Sequence, residues 1–448
     1  MPSSNQIVLF GAGKSASVLI EYLKNISEKN KWDILVADSD LQTVQQKVGN
    51  HQFVKATQVN INDGDARQSL VLSATVVISM LPHALHYLVA QDCILFSKHL
   101  LTASYVDEKI KILEKEIKEK NLLFLCEMGL DPGIDHMSAM KILDQIKKEN
   151  GVVTSFKSHC GGLVAPESDN NPWHYKISWN PRNIVLAGIE GAEFIENGKK
   201  IKRGYDEVFT GHELVNINEV MVLGYYPNRD SLSYIPIYHL ENVQTFIRTT
   251  LRYPQFMEGW KHIVTLRLTD ESIIHDTDKL TVADFFHVHL KNYGFSNPQF
   301  PFNEIDFENN AHSKENLFVQ QLEYLGLHDN KVIGKGKLSA TDIFQNILES
   351  KLKLDATDKD MIVMLHEIEY ALHKVSKKVH SCLVVKGENN TFTAMAKTVG
   401  LPLGIAATLI LEGKLHLTGL HIPVLPEIYN PVLERLEEEG IRFHEHIS

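Results

Sequence analysis

Residues 126–136, Cys-Glu-Met-Gly-Leu-Asp-Pro-Gly-Ile-Asp-His, hold the densest grouping of chemically competent side chains in the chain. An apolar run, 122–125, precedes them, and a helical pattern, 137–146, follows. Pro132 presets φ and Gly133 tolerates positive φ, so a buried strand can end here in a sharp turn. Such a turn would leave Asp131 and Asp135 beside the free amides of a new helix, where carboxylates or ligand phosphates are held. The simpler reading is a capped helix start, with Asp135 as the cap.

A second chemical feature lies at the start of the chain. An apolar strand over 5–10 runs into Gly11-Ala12-Gly13-Lys14-Ser15-Ala16, and a helix with Val18, Leu19, Tyr22 and Leu23 on one face follows. A second strand, 32–38, ends in Asp38, 27 residues beyond Gly11. Strand, glycine turn, helix and acid-tipped strand are what a dinucleotide site requires. Gly11 permits the tight turn, Gly13 lets a pyrophosphate approach, and Ala16 allows helix and strand to pack closely. Asp38 would accept hydrogen bonds from the adenosine ribose and repel a 2′-phosphate, so NAD is expected and NADP is the alternative. A simpler role for Asp38 is to cap the following helix.

These residues need a frame. Further strands are expected at 57–61, at 75–80 (leading into Leu81-Pro82-His83) and from Lys98 to a polar tip at Ser104-Tyr105. Ligands bind at the carboxyl ends of such strands. The cofactor edge is therefore expected to comprise Gly11, Gly13, Lys14, Ser15, Ala16, Asp38, Ile61, Ser79, Leu81 and Pro82. The fold class is α/β: a Rossmann dinucleotide-binding domain over 1–130, rejoined by 390–448, and a mixed α/β substrate domain over 131–277 and 356–389. The helical patterns 282–290, 317–325 and 340–352 suggest a helical subdomain inserted over 278–355. Strands are expected at 361–372 and 379–386, then a small-residue helix, 394–411, interrupted at Gly400-Leu401-Pro402.

Composition narrows the function. The 448 residues carry a formal net charge of −11, against the basic face that nucleic-acid binding needs. Four dispersed cysteines indicate neither a disulfide framework nor a metal site, and the chain reads as cytoplasmic. His287 and His289 would share a face in a strand but not in the helix expected there. No signal peptide or long uninterrupted apolar span is evident, so no membrane partner is expected. The second half holds a strand leading to Cys160-Gly161-Gly162, which suggests either close backbone approach to a ligand or a bulge. It also holds an aromatic stretch with Trp173, Tyr175, Lys176, Trp179 and Arg182, readable as a packed turn or a pocket wall. Two loops centred on Arg229 and on Arg248 to Arg252 could grip carboxylates through guanidinium forks or form surface ion pairs.

The chain resembles the saccharopine dehydrogenase family of the glutamate-forming, saccharopine reductase type. The resemblance rests on Gly11-Ala12-Gly13, Thr102-Ala103-Ser104-Tyr105, Gly129 to His136, Cys160-Gly161-Gly162, Leu251-Arg252-Tyr253-Pro254, Ala396 to Pro402 and Pro426 to Leu433, in that order. It implies substrate contacts at Ser104, Tyr105, Asp131, Arg229, Thr250, Leu251 and Arg252, with Cys160 at the pocket. Val164 stands where the family has proline, Asn180-Pro181-Arg182-Asn183 where it has Ser-Pro-Arg-Gly, and Asp38 departs from the NADP-type fungal members.

The implied reaction joins glutamate's amine to α-aminoadipate semialdehyde as an imine and reduces it by hydride transfer, or runs in reverse. Asp131, Cys160 and Tyr105 are the candidates for proton handling, and Arg229 and Arg252 for binding carboxylates. The expected partners are small amino-acid substrates and a second copy of the chain in a homodimer. The rivals are a polyamine-forming enzyme of the carboxynorspermidine dehydrogenase or homospermidine synthase type, which needs acids for a diamine, and a non-catalytic dinucleotide sensor.

Overall fold

A computed structural model describes residues 6–211, 213–217, 221–292 and 311–448. Asn5 of the first expected strand and residues 293–310 of the expected helical stretch lie outside them. The chain forms two compact units: Met1–Val153 with Ile237–Leu240 and Glu369–Ser448, and Thr154–Pro236 with Glu241–Ile368.

In the first unit, strands β1 (Ile7–Phe10), β2 (Ile34–Asp38), β3 (Val54–Gln58), β4 (Val76–Ser79), β5 (His99–Thr102) and β6 (Leu123–Leu125) are all parallel. Ile7, Val8, Leu9 and Phe10 are fully buried, the continuous apolar run of a strand covered on both faces. The order β6-β5-β4-β1-β2-β3 puts the reversal of strand order between β1 and β4. The strand expected at 57–61 lies three residues earlier. A turn halts it, with the Asp63 N–H donating to the Asn60 carbonyl (2.9 Å) and Asp63 capping the helix Gly64–Ser73. Ile61 thus falls in a turn, partly buried against the core.

The second unit is a mixed sheet of β7 (Val152–Val164), β8 (Ala192–Glu196), β9 (Lys199–Arg203), β10 (Glu213–Ile217), β11 (Met221–Pro227), β12 (Arg229–Asp230), β13 (Thr245–Arg252) and β16 (Asp360–Leu372), beside a small pair, β14 (Ile274–Asp276) and β15 (Lys337–Ser339). β13 runs parallel to β7 and antiparallel to β11 and β8. Helices Pro254–Thr265, Val282–Asn292, Ala311–Leu325 and Ala340–Lys351 share one core with Trp173 and Tyr175, through Trp260, Phe285, Phe318 and Phe344. The aromatic stretch is therefore core, with Lys176 buried against Asp358 (2.5 Å).

The chain then returns to the first unit with β17 (Val375–Lys386), β18 (Gly419–His421) beside β6, and β19 (His444–Ile447) antiparallel to β17. Helix Ala394–Leu411 is continuous, not interrupted at Gly400 to Pro402, and contains Pro402. Packing holds it together. A Cβ on Gly400 or Gly404 would come within 2.9 Å of Leu19 or 2.6 Å of Tyr22, so the glycines admit helix Ser17–Asn30 at short range. This helix is also the apolar span that sequence inspection missed: its 18 residues suit a membrane by length and hydropathy, yet 78% of them are buried inside the protein.

Candidate functional site

The glycine turn sits at the switch point and is shaped by close backbone approach. Gly11 adopts φ +99°, and a Cβ there would lie 2.8 Å from the Met80 carbonyl oxygen at the end of β4. No other residue fits without strain. Gly13 differs: nothing lies within 4 Å of its Cβ position, which leaves open space over the turn. Lys14 to Ala16 form a 3-10 turn leading into helix Ser17–Asn30, so the helix N-terminus faces that space.

Asp38 ends β2 and reaches back to the turn. Its Oδ2 accepts the Ala12 N–H at 2.7 Å, and its Oδ1 accepts from the Asp40 N–H at 3.1 Å and the Ser39 hydroxyl at 3.2 Å. Asp40, not Asp38, caps the next helix, by accepting the Thr43 N–H. Lys47 lies close by, its Nζ donating to the Gly13 carbonyl at 2.6 Å. Burial lowers the Lys47 pKa to about 8, against the pull of the Asp38 charge. An open glycine cradle, a helix N-terminus and a carboxylate at the second strand tip fit a dinucleotide.

The tips of β4, β5 and β6 bring the next group together. Ser79 closes β4 and is fully buried, Leu81 and Pro82 follow it, and Ser104 and Tyr105 follow β5. The Met128 N–H donates to the Thr102 carbonyl (3.0 Å) and the Glu127 N–H to the Ser104 carbonyl (3.1 Å). These bonds set the turn at 129–133 beside Ser104. Asp131 and Pro132 are joined by a cis peptide, and Gly133 has φ +146°, where a Cβ would meet the Gly129 carbonyl at 2.1 Å.

Asp135 does not cap the helix Ile134–Lys148. The helix starts one residue before Asp135, so Gly133, which has no side chain, takes the cap position and donates its N–H to Asp135 Oδ1 at 2.6 Å. Asp135 is buried, whereas Asp131 stays partly exposed. Beneath the turn, His136 lies 2.9 Å from Glu127 Oε2 and 2.6 Å from the Tyr238 hydroxyl, all buried. Glu127 is held at φ +58°.

Two histidines in this unit escaped sequence reasoning: His136, the last residue of the opening motif, and His86. His86 opens helix His86–Leu95, with Nδ1 2.8 Å from Ser79 Oγ and Nε2 2.8 Å from Ser104 Oγ. The local signal was weak, since nothing distinguishes Leu85-His86 from any polar helix start.

The second unit gathers the remaining candidates. Cys160 is buried in β7 opposite Thr250 of β13, in a regular register from Thr245↔Ser155 to Thr250↔Cys160. Gly161 serves its neighbouring strand, since a Cβ there would stand 2.6 Å from the Leu251 Cβ and carbonyl oxygen. Leu251 is fully buried. Arg229 is about half exposed and pairs with Glu190 (3.2 Å).

Arg252 is different. It is 4% exposed, and its guanidinium lies 5.4 Å from the Tyr175 ring centre and 5.6 Å from that of Phe256. One Nη donates to the Leu251 carbonyl (2.8 Å), and Nε has no hydrogen-bond partner. Among the described residues no carboxylate pairs with it. A buried cation with an unused donor is costly unless a ligand completes it.

A parallel sheet with a glycine turn and an acid at its switch point defines a Rossmann-type dinucleotide-binding protein, here joined to a mixed α/β unit. Residues 7–125 match the saccharopine dehydrogenase NADP binding domain, and residues 129–441 match the saccharopine dehydrogenase C-terminal domain. The chain belongs to the saccharopine dehydrogenase family.

Mouse mitochondrial alpha-aminoadipic semialdehyde synthase is 33% identical over 99% of the chain, although the chain spans only 48% of that protein's length. The Schizosaccharomyces pombe saccharopine dehydrogenase [NADP(+), L-glutamate-forming] is 31% identical over 100% of this chain and 99% of that one. The apo saccharopine dehydrogenase (L-Glu forming) structure from Saccharomyces cerevisiae aligns with a TM-score of 0.89 at 28% identity, covering 99% and 100% of the two chains. Homospermidine synthase from Legionella pneumophila, at 10% identity and a TM-score of 0.54, shares the fold alone.

Proposed function

We propose that this chain is a glutamate-forming saccharopine dehydrogenase, interconverting saccharopine with L-glutamate and α-aminoadipate semialdehyde in lysine metabolism. The end-to-end similarity to the S. pombe enzyme carries this reading. A dinucleotide held at the glycine turn would supply hydride-transfer chemistry. Gly11, Gly13 and the amides of Lys14 and Ser15 would cradle its pyrophosphate, while the Ala16 N–H closes the turn on the Gly13 carbonyl at 3.0 Å. Asp38 would hold the adenosine ribose, and Ser79 to Pro82 would border the nicotinamide. Arg252 binds a substrate carboxylate through the donor it leaves unused, with Arg229 engaging a second. Asp131 is the first candidate for handling the proton of the substrate amine, and Tyr105 in the first unit and Cys160 in the second are the further candidates. Much of the rate then comes from holding the imine carbon against the hydride donor.

Asp38 favours NAD. The family description of an NADP binding domain and the proximity of Lys47 to the turn support NADP as the second reading. A cytoplasmic homodimer completes the proposal, to be tested by fractionation and light scattering. The deciding experiment follows NADH and NADPH oxidation with α-aminoadipate semialdehyde and glutamate, beside diamine controls. Glutamate-dependent turnover supports the assignment. Turnover with diamines alone moves the chain to polyamine synthesis, and dinucleotide binding without turnover makes it a sensor.

A further inference from the structure

We infer that His86 is a positioning residue, which ties Ser79 at the cofactor edge to Ser104 at the substrate edge and makes the Ser104 hydroxyl a donor toward the substrate. The inference deepens the proposed function and rests on it.

Ser79 and Thr102 are register partners on adjacent strands, and Ser104 stands two residues beyond Thr102. The His86 ring spans this step. Its Nδ1 is 2.8 Å from Ser79 Oγ, and its Nε2 is 2.8 Å from Ser104 Oγ and 3.3 Å from Thr102 Oγ1. Thr102 Oγ1 also accepts the Ser104 N–H at 3.2 Å, so the backbone of Ser104 is pinned at the same point. The ring is 2% exposed. Burial, reinforced by His83, lowers its pKa to about 4 against the opposing charge of Asp107. The ring is therefore neutral at physiological pH and carries one N–H, so one nitrogen donates and the other accepts.

Ser79 decides which. It is fully buried, and among the described residues its hydroxyl has His86 as its sole hydrogen-bond partner. If Nδ1 carried the proton, the Ser79 hydroxyl hydrogen would be left buried and its 2.8 Å contact wasted, whereas the Nε2–H form strands only the Thr102 hydroxyl hydrogen, whose contact with Nε2 is the longer one at 3.3 Å. Ser79 therefore donates to Nδ1, the proton resides on Nε2, and Nε2–H donates to Ser104 Oγ. The Ser104 hydroxyl hydrogen is then released outward. A donor in that position suits a carboxylate or carbonyl oxygen of an amino-acid substrate.

The test compares His86→Phe, His86→Gln, Ser79→Ala and the Ser79→Ala/His86→Gln double variant. Saccharopine KM and kcat, NADH affinity and melting temperature are measured for each. His86→Phe keeps the ring volume but has no donor, and should raise KM for saccharopine at least tenfold while NADH affinity stays within twofold. His86→Gln presents an amide N–H where Nε2 was and should recover most of the loss. Ser79→Ala should raise KM severalfold, and that effect should vanish in the His86→Gln background because the Ser79 hydroxyl reaches Ser104 through the ring. Equal losses in His86→Phe and His86→Gln, or a Ser79→Ala effect that persists in the double variant, would overturn the inference. If His86→Phe does not fold, the Ser79→Ala cycle decides. Nitrogen-15 NMR of histidine-labelled wild-type protein, with His86→Gln assigning the signal, reads the tautomer without turnover. The Nε2–H form is expected, and the Nδ1–H form refutes the arrangement even if the enzymatic assignment holds.

Discussion

Replacing Arg252 by methionine should make the ligand-free protein no less stable while crippling its chemistry. Arg252 is 4% exposed, donates one hydrogen bond to the Leu251 carbonyl and leaves Nε unpaired. An unsatisfied buried donor costs about 1–3 kcal/mol, and more when it is charged. The Tyr175 and Phe256 rings return roughly 0.5–2 kcal/mol through their cation–π contacts. Methionine has a similar reach and packs against the same rings without a charge. The expected result is a change between about zero and 2 kcal/mol in favour of the variant, in line with buried ions replaced by apolar groups. In a unit of about two hundred residues each kcal/mol moves Tm by roughly 2–4 °C, so differential scanning calorimetry resolves the difference. Function should move the other way. Losing one partner of a buried charge pair costs about 2–5 kcal/mol, at least a roughly 30-fold fall in kcat/KM for saccharopine, with NADH affinity unchanged. An Arg252→Met protein that melts far below wild type yet keeps its KM would refute the reasoning and make Arg252 a structural residue.

Two further outcomes follow from the first unit. Asp38→Asn keeps an acceptor for the Ala12 N–H but removes the charge, and should shift the NADH-to-NADPH preference toward NADPH by roughly tenfold, equivalent to about 1.4 kcal/mol of repulsion; an unchanged ratio of kcat/KM values would show that Asp38 does not select the cofactor. His86, held neutral with a pKa of about 4 against the usual 6.5, binds a proton more readily when unfolded. Its contribution is therefore present above pH 6.5 and lost as pH falls toward 4, amounting to about 2 kcal/mol between pH 7 and pH 5. Urea unfolding at the two pH values should show this loss in wild type and a smaller one in His86→Gln, and parallel curves would count against it.

The parts of the candidate site legible in the chain were those made by local geometry. Gly11 was readable because a strand running into Gly-x-Gly and a helix has few alternative folds, and the close approach of Met80 supplies the reason. Asp131 to Gly133 were readable as a turn for the same reason. The simpler alternatives at Asp38 and Asp135 failed where a neighbouring residue took the cap. Asp40 took the helix cap offered to Asp38, and Gly133 the cap offered to Asp135. The glycines near Pro402 read as a break and proved to be a packing surface for helix Ser17–Asn30.

By itself the sequence determined the alternation of strands and helices, the glycine turn and its acid, and the motifs that carry the family resemblance. All of these depend on neighbours within a few residues of one another, where backbone sterics and hydrophobic period act directly. Tertiary structure alone decided which side chains meet. Ser79, His86 and Ser104 come together because β4 and β5 pair in register. Arg252 becomes a buried, unfinished cation only once Tyr175 and Phe256 close around it. Burial sets the protonation state of His86 and the demand for a ligand at Arg252, and burial belongs to the packed chain rather than to any segment of it.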